Sequence, residues 1–113
     1  MRRYRTVLLA GLLLADAALA PAAAQGGASA AASHTVILKE TRFHPGSLTI
    51  RRGDSVTWVW KDGGEEHNVT AHAFHSHTMG HGSFTVHFTR SGTFNYRCTI
   101  HESEGMRGRI VVH

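Results

Sequence analysis

At 113 residues and 42% hydrophobic content, the chain has material for one compact domain. Its 12 basic and 8 acidic residues fall to 9 and 7 once a leader carrying Arg2, Arg3, Arg5 and Asp16 is set aside, which excludes a nucleic-acid surface built on bulk charge. One cysteine, Cys98, excludes an intramolecular disulfide framework.

The chain opens on the three arginines, passes through an apolar run over about 7–15, and reaches Ala22-Ala23-Ala24 before Gln25. That order predicts a secretory signal peptide over residues 1–24, with cleavage after Ala24 favoured over Ala20, which Pro21 follows. Asp16 and the shortness of the apolar run count against a transmembrane helix and so against stable membrane insertion. Tyr4-Arg5-Thr6 lacks the hydrophobic pair of a twin-arginine signal, so the general export route is expected, with the periplasm as destination. The Gly/Ala/Ser-rich stretch 25–33 reads as a flexible tail, leaving 34–113 as the folded domain.

From there the pattern is one of short β-branched and aromatic runs punctuated by Gly, Pro and Asp. Residues 34–39 predict a first strand, Phe43 with Pro45-Gly46 a plug and turn, and 48–50 a second strand. Arg51 to Asp54 reads as a turn with exposed charges. Val56, Trp58 and Trp60 alternate, placing one face of their strand against a core. A charged, Gly-rich loop over 61–66 leads to His67 and a brief strand over 68–71. Residues 84–88 alternate again, Ser91-Gly92 turns, and Phe94, Tyr96 and Cys98 share a face; residues 109–112 close the domain. Seven or eight short strands without a helical period predict an all-β Greek-key sandwich or barrel. An immunoglobulin-like module without metal shares that periodicity, but gives Cys98, His101 and Met106 no joint explanation.

Those three residues stand in the run Cys98-Thr99-Ile100-His101-Glu102-Ser103-Glu104-Gly105-Met106, a C-x2-H-x4-M pattern. Taken singly, a cysteine or methionine is ordinary core filler. With His67 from upstream, two imidazoles, a thiolate and a thioether form the ligand set of a trigonal mononuclear copper site with a long axial bond.

On these residues the chain resembles the small blue-copper proteins, the cupredoxins, in particular the plastocyanin, pseudoazurin and amicyanin-like group. The resemblance spans about 35–112. It rests on Phe43-His44-Pro45, on Gly53-Asp54-Ser55-Val56-Thr57-Trp58, on His67-Asn68-Val69-Thr70, and on Gly92-Thr93-Phe94-Asn95-Tyr96-Arg97-Cys98 with His101, Met106, Gly108 and Ile110. It implies a Greek-key cupredoxin fold and one type 1 copper per chain, with His67, Cys98 and His101 as equatorial ligands and Met106 as the axial one. It also implies that Asn68 ties the two ligand loops by hydrogen bonds. The far nitrogen of His67 is expected on backbone. The far edge of His101 is expected at the surface in an apolar patch with Ile100 and Met106. Ile100 stands where the family commonly has Pro, Trp60 where many relatives have Asn, and Arg97 where plastocyanins often have an aromatic. These departures bear on the partner and leave the ligand set intact.

His72, His75, His77 and His81 crowd one loop and admit two readings: a soluble polar loop, or a second, weaker site for Cu(II), Zn(II) or Ni(II). The resemblance implies a non-enzymatic, monomeric electron carrier. It would cycle Cu(I)/Cu(II) in transient complexes with redox proteins such as a cytochrome c or a copper or haem enzyme. The alternative class is copper storage or delivery, which would transfer the ion itself.

Overall fold

Period-two patterning becomes a strand wherever one face can be buried. The computed structural model describes residues 30–113. The expected signal peptide (1–24) and positions 25–29 of the tail lie outside the described residues. Eight strands follow in order: β1 Ser33–Lys39, β2 Arg42–His44, β3 Ser47–Ile50, β4 Ser55–Trp60, β5 Thr70–Ala71, β6 Gly82–His87, β7 Gly92–Arg97 and β8 Arg107–Val112. They form two four-stranded sheets, ordered β2-β1-β4-β6 and β3-β8-β7-β5. β1 runs parallel to β4 and β3 parallel to β8, while the remaining pairs are antiparallel. This is the expected all-β sandwich, and among the described residues the two sheets stay separate rather than closing into one barrel.

The core lies between the sheets. Val36, Leu38, Val56, Trp58 and Trp60 of one sheet and Ile50, Tyr96, Ile110 and Val112 of the other are all buried. Trp58 meets Tyr96 edge-on at 5.3 Å between ring centres, and Tyr96 meets Phe43 at 4.7 Å. Phe74, which no strand pattern singled out, reaches in from the loop after β5 to within 5.6 Å of the Trp58 ring and 5.7 Å of Phe88. Burial pushes the Tyr96 phenol up to about 12, so it remains protonated at any ordinary pH. Gly108 lies against that phenol, where a methyl group would collide with the ring.

Two expectations are corrected at the N-terminal edge. β1 begins at Ser33, one residue before the expected start of the first strand, because Ser33 pairs with Ser55 and the Ser55 N–H donates to the Ala32 carbonyl at 3.0 Å. Asp54 is buried rather than exposed in its turn. Its carboxylate accepts the Ala32 N–H at 2.9 Å, the Arg51 N–H at 3.1 Å and a bond from His34 Nε2 at 3.0 Å.

These bonds, the Ala32 N–H foremost, hold the Asp54 carboxyl down at about 2 from an ordinary 3.8. Lowered in the folded state, the group contributes its stability in full above the ordinary value and loses it as pH falls toward about 2. Urea midpoints of the native chain should therefore drop through that acid window more steeply than those of Asp54→Asn. Parallel curves for the two proteins would refute the assignment.

Candidate metal centre

Two stretches meet at one end of the sandwich. His67 follows the 61–66 loop and is held on both sides by Met79: its N–H donates to the Met79 carbonyl at 3.0 Å and its carbonyl accepts the Met79 N–H at 3.1 Å. The Trp60 indole N–H donates to the same His67 carbonyl at 3.0 Å. The strand that fills the core thus also fixes the backbone of the early histidine.

The second stretch leaves β7 and returns as β8. The Cys98 N–H donates to the Met106 carbonyl at 3.1 Å, extending the β7–β8 pairing by one step beyond Arg97 and Arg107. Between them lies a short 3₁₀ helix, Glu102–Glu104, closed by Gly105 in the left-handed region at φ 88°. That conformation suits glycine and lets the chain turn back, so that the Met106 N–H donates to the His101 carbonyl at 3.2 Å.

The side chains converge. His67 Nδ1 lies 3.1 Å from His101 Nδ1, and Cys98 Sγ lies 3.6 Å from His101 Nδ1 and 3.9 Å from His67 Nδ1. His67 and Cys98 are fully buried, His101 is 9% exposed, and Met106 is fully buried. Among the described residues, His67, Cys98 and His101 form the one group of three or more ligating side chains close enough to hold an ion.

The far ring nitrogens decide what the near ones can do. His67 Nε2 lies 2.7 Å from Asp62 Oδ2, and His101 Nε2 lies 3.2 Å from Glu65 Oε2. An ionised carboxylate only accepts, so each Nε2 donates to its acid and each Nδ1 is the ring nitrogen left facing the sulfur. The two Nδ1 atoms and the sulfur thus lie close enough for one cation to reach all three. Two imidazoles and a thiolate suit copper. The donor set therefore fits the ion that the residues suggest.

Asn68 joins the two stretches as expected. Its Oδ1 accepts the Thr99 N–H at 3.0 Å and the Thr70 hydroxyl at 2.8 Å, while its Nδ2 donates to Thr99 Oγ1 at 2.8 Å and Thr78 Oγ1 at 3.0 Å. Three other expectations change. The far nitrogen of His67 is paired with a carboxylate rather than with backbone. Met106 is buried and takes no part in a surface patch; Ile100 is the exposed apolar neighbour. His72, His75, His77 and His81 are exposed and form no ligating group of three, so a second metal site finds no support. Between them Phe74 packs into the core and Ser76 is buried, its hydroxyl accepting the Val69 N–H at 2.9 Å, so the loop serves as packing.

Sequence reasoning missed Asp62 and Glu65, both in the charged loop before His67. The clue lay in that loop holding two acids close to a histidine, but nothing in linear spacing distinguishes such acids from solvated ones.

Comparison with known proteins agrees with this geometry. A family model described as copper binding proteins, plastocyanin/azurin family, matches residues 71–113, which include Cys98, His101 and Met106. The plastocyanin of Scenedesmus fuscus is 32% identical over 85 residues, covering 62% of this chain and 85% of that protein. The copper-resistant cuproprotein CopI of Rubrivivax gelatinosus is 31% identical over 116 aligned positions, covering 76% and 70%. Among solved structures, an oxidized methionine-to-leucine variant of amicyanin superposes with a TM-score of 0.63 at 28% identity, covering 70% of this chain and 80% of that one.

Proposed function

The chain belongs to the plastocyanin/azurin family of copper-binding proteins, the cupredoxins, and from that membership we propose that His67, Cys98, His101 and Met106 hold one copper ion through which electrons pass between redox partners. The observation that carries the assignment is the convergence of two Nδ1 atoms on the Cys98 sulfur, with each ring's other nitrogen already paired. Met106 joins the set because it is buried at the end of the same loop, its backbone bonded to both Cys98 and His101.

Copper, when bound, supplies the one-electron couple. The chain does the rest. Cys98 would hold the ion through its sulfur, a soft, polarisable donor. His67 is locked by Met79 and Trp60, and Asn68 spans both ligand stretches, so the donors have little freedom to move when charge changes. Small movement keeps the reorganisation cost of electron transfer low. His101 is the ligand that touches the surface, and exposed Ile100 beside it offers a small apolar contact suited to brief encounters.

The reading includes removal of residues 1–24, a short tail ahead of a folded domain that opens with β1, a periplasmic location, and a redox protein such as a cytochrome c as partner. Among the described residues no helix is long and apolar enough to cross a membrane. Storage or delivery has no site of its own in the loop histidines.

Loading the purified protein with Cu(II) should produce an intense visible thiolate-to-copper band. Stopped-flow mixing with a small cytochrome c should then show rapid exchange of electrons at constant copper content. A colourless product whose thiol still reacts freely with a probe would overturn the site. Loss of copper during cycling would favour delivery over electron transfer.

A further inference from the structure

The turn between β1 and β2 consists of Glu40 and Thr41, and both have φ of 56°. Two-residue hairpins of this hand favour Asn-Gly. A β-branched residue in that region is a genuine outlier, and such outliers persist only where their surroundings hold them. Here the surrounding group is visible: the Glu40 N–H donates to Asp62 Oδ1 at 2.9 Å and the Thr41 N–H to Asp62 Oδ2 at 3.1 Å. The neighbouring Lys61 N–H donates to the Leu38 carbonyl at 2.9 Å, tying the same segment to β1. The oxygen that takes the Thr41 N–H also takes His67 Nε2, at 2.7 Å. A strained hairpin on one sheet edge thus grips a carboxylate that grips the buried imidazole.

We propose that Asp62, clamped by the Glu40–Thr41 turn, is the positioning residue of the centre. It fixes His67 in the Nε2–H tautomer, with Nδ1 free as donor, and places a negative charge one ring away from the ion, favouring Cu(II) over Cu(I). The second half rests on the copper reading above; the first does not. Both Asp62 oxygens are engaged, one by the Glu40 N–H and the other by the Thr41 N–H and His67 Nε2, so the carboxylate has no freedom to swing away from the ring. Glu65 differs: it faces the other ring at 3.2 Å but is mostly exposed, so solvent screens it.

The test has two readouts. In the copper-free protein, nitrogen-detected NMR of the imidazoles should show His67 as one Nε2–H tautomer, and Asp62→Ala should turn it into a mixture. In the copper-loaded protein, loss of the carboxylate should lower the preference for Cu(II) over Cu(I) about tenfold, which raises the potential by about 59 mV. Asp62→Asn, which keeps one acceptor for the hairpin, serves for the potential if the alanine variant fails to fold. Glu65→Gln should shift it less. An unchanged tautomer in Asp62→Ala overturns the positioning role. An unmoved potential, or one moved equally by Glu65→Gln, overturns the charge role. A protein that never acquires a visible band overturns the copper reading and leaves the tautomer result standing.

Discussion

Cys98→Ser leaves a folded sandwich with no intense visible band and no electron exchange. Serine nearly matches cysteine in size, and the bond that holds position 98 in register runs from its backbone N–H to the Met106 carbonyl, so the loop keeps its path. The chemistry changes completely. A hydroxyl at this fully buried position is a hard donor that stays protonated, whereas the thiolate is soft and shares charge with the metal. Removing groups that merely orient ligands costs about 10–100-fold in metal affinity, and removing a ligand should exceed that. Absorbance after copper loading reads the loss, and a urea midpoint close to the parent's separates it from unfolding. A retained band would mean that Cys98 is not the donor.

Trp58→Ala should be the costliest substitution for the fold. The indole is fully buried between the sheets, 5.3 Å from Tyr96, 5.6 Å from Phe74 and 5.8 Å from Phe84. Truncating such a residue costs about 3–5 kcal/mol, against a total of about 5–15 kcal/mol for an ordinary domain. Chemical denaturation should show a loss in that range. Trp58→Phe should cost distinctly less, because it leaves a smaller cavity and keeps an aromatic ring between the sheets. Equal losses would place the energetic weight of this position elsewhere than in its aromatic packing.

What could be read from the linear chain was what repeats or stays local. Val56, Trp58 and Trp60 announce a buried face through alternation alone, and Cys98, His101 and Met106 are legible because one loop holds all three. His67 was legible as the second imidazole of that ligand set, and Asn68 only through family likeness. The carboxylates behind the two imidazoles were not, since Asp62 acquires its role from a hairpin more than twenty positions earlier and Glu65 from a ring that arrives much later. Asp54 looked like a turn acid because its partners, Ala32 and His34, come from a stretch that reads as tail and strand start. Phe74 lacked alternating neighbours to declare it part of the core. Met106 seemed a surface neighbour of His101 until the pairing of Cys98 with Met106 placed it in the inward-facing series.

The parallel pairing of β3 with β8 also governs when the centre comes into being. Residues Ser47–Ile50 have their in-sheet neighbour in Arg107–Val112, with Ser47 paired to Arg109 across a separation of 62 positions. The sheet β3-β8-β7-β5 is therefore joined up only when β8 seats between β3 and β7, and contacts this distant in sequence form slowly. Cys98 and His101 lie just before that strand, so the pocket is complete only once β8 is in place. Metal captured earlier would meet only scattered side chains.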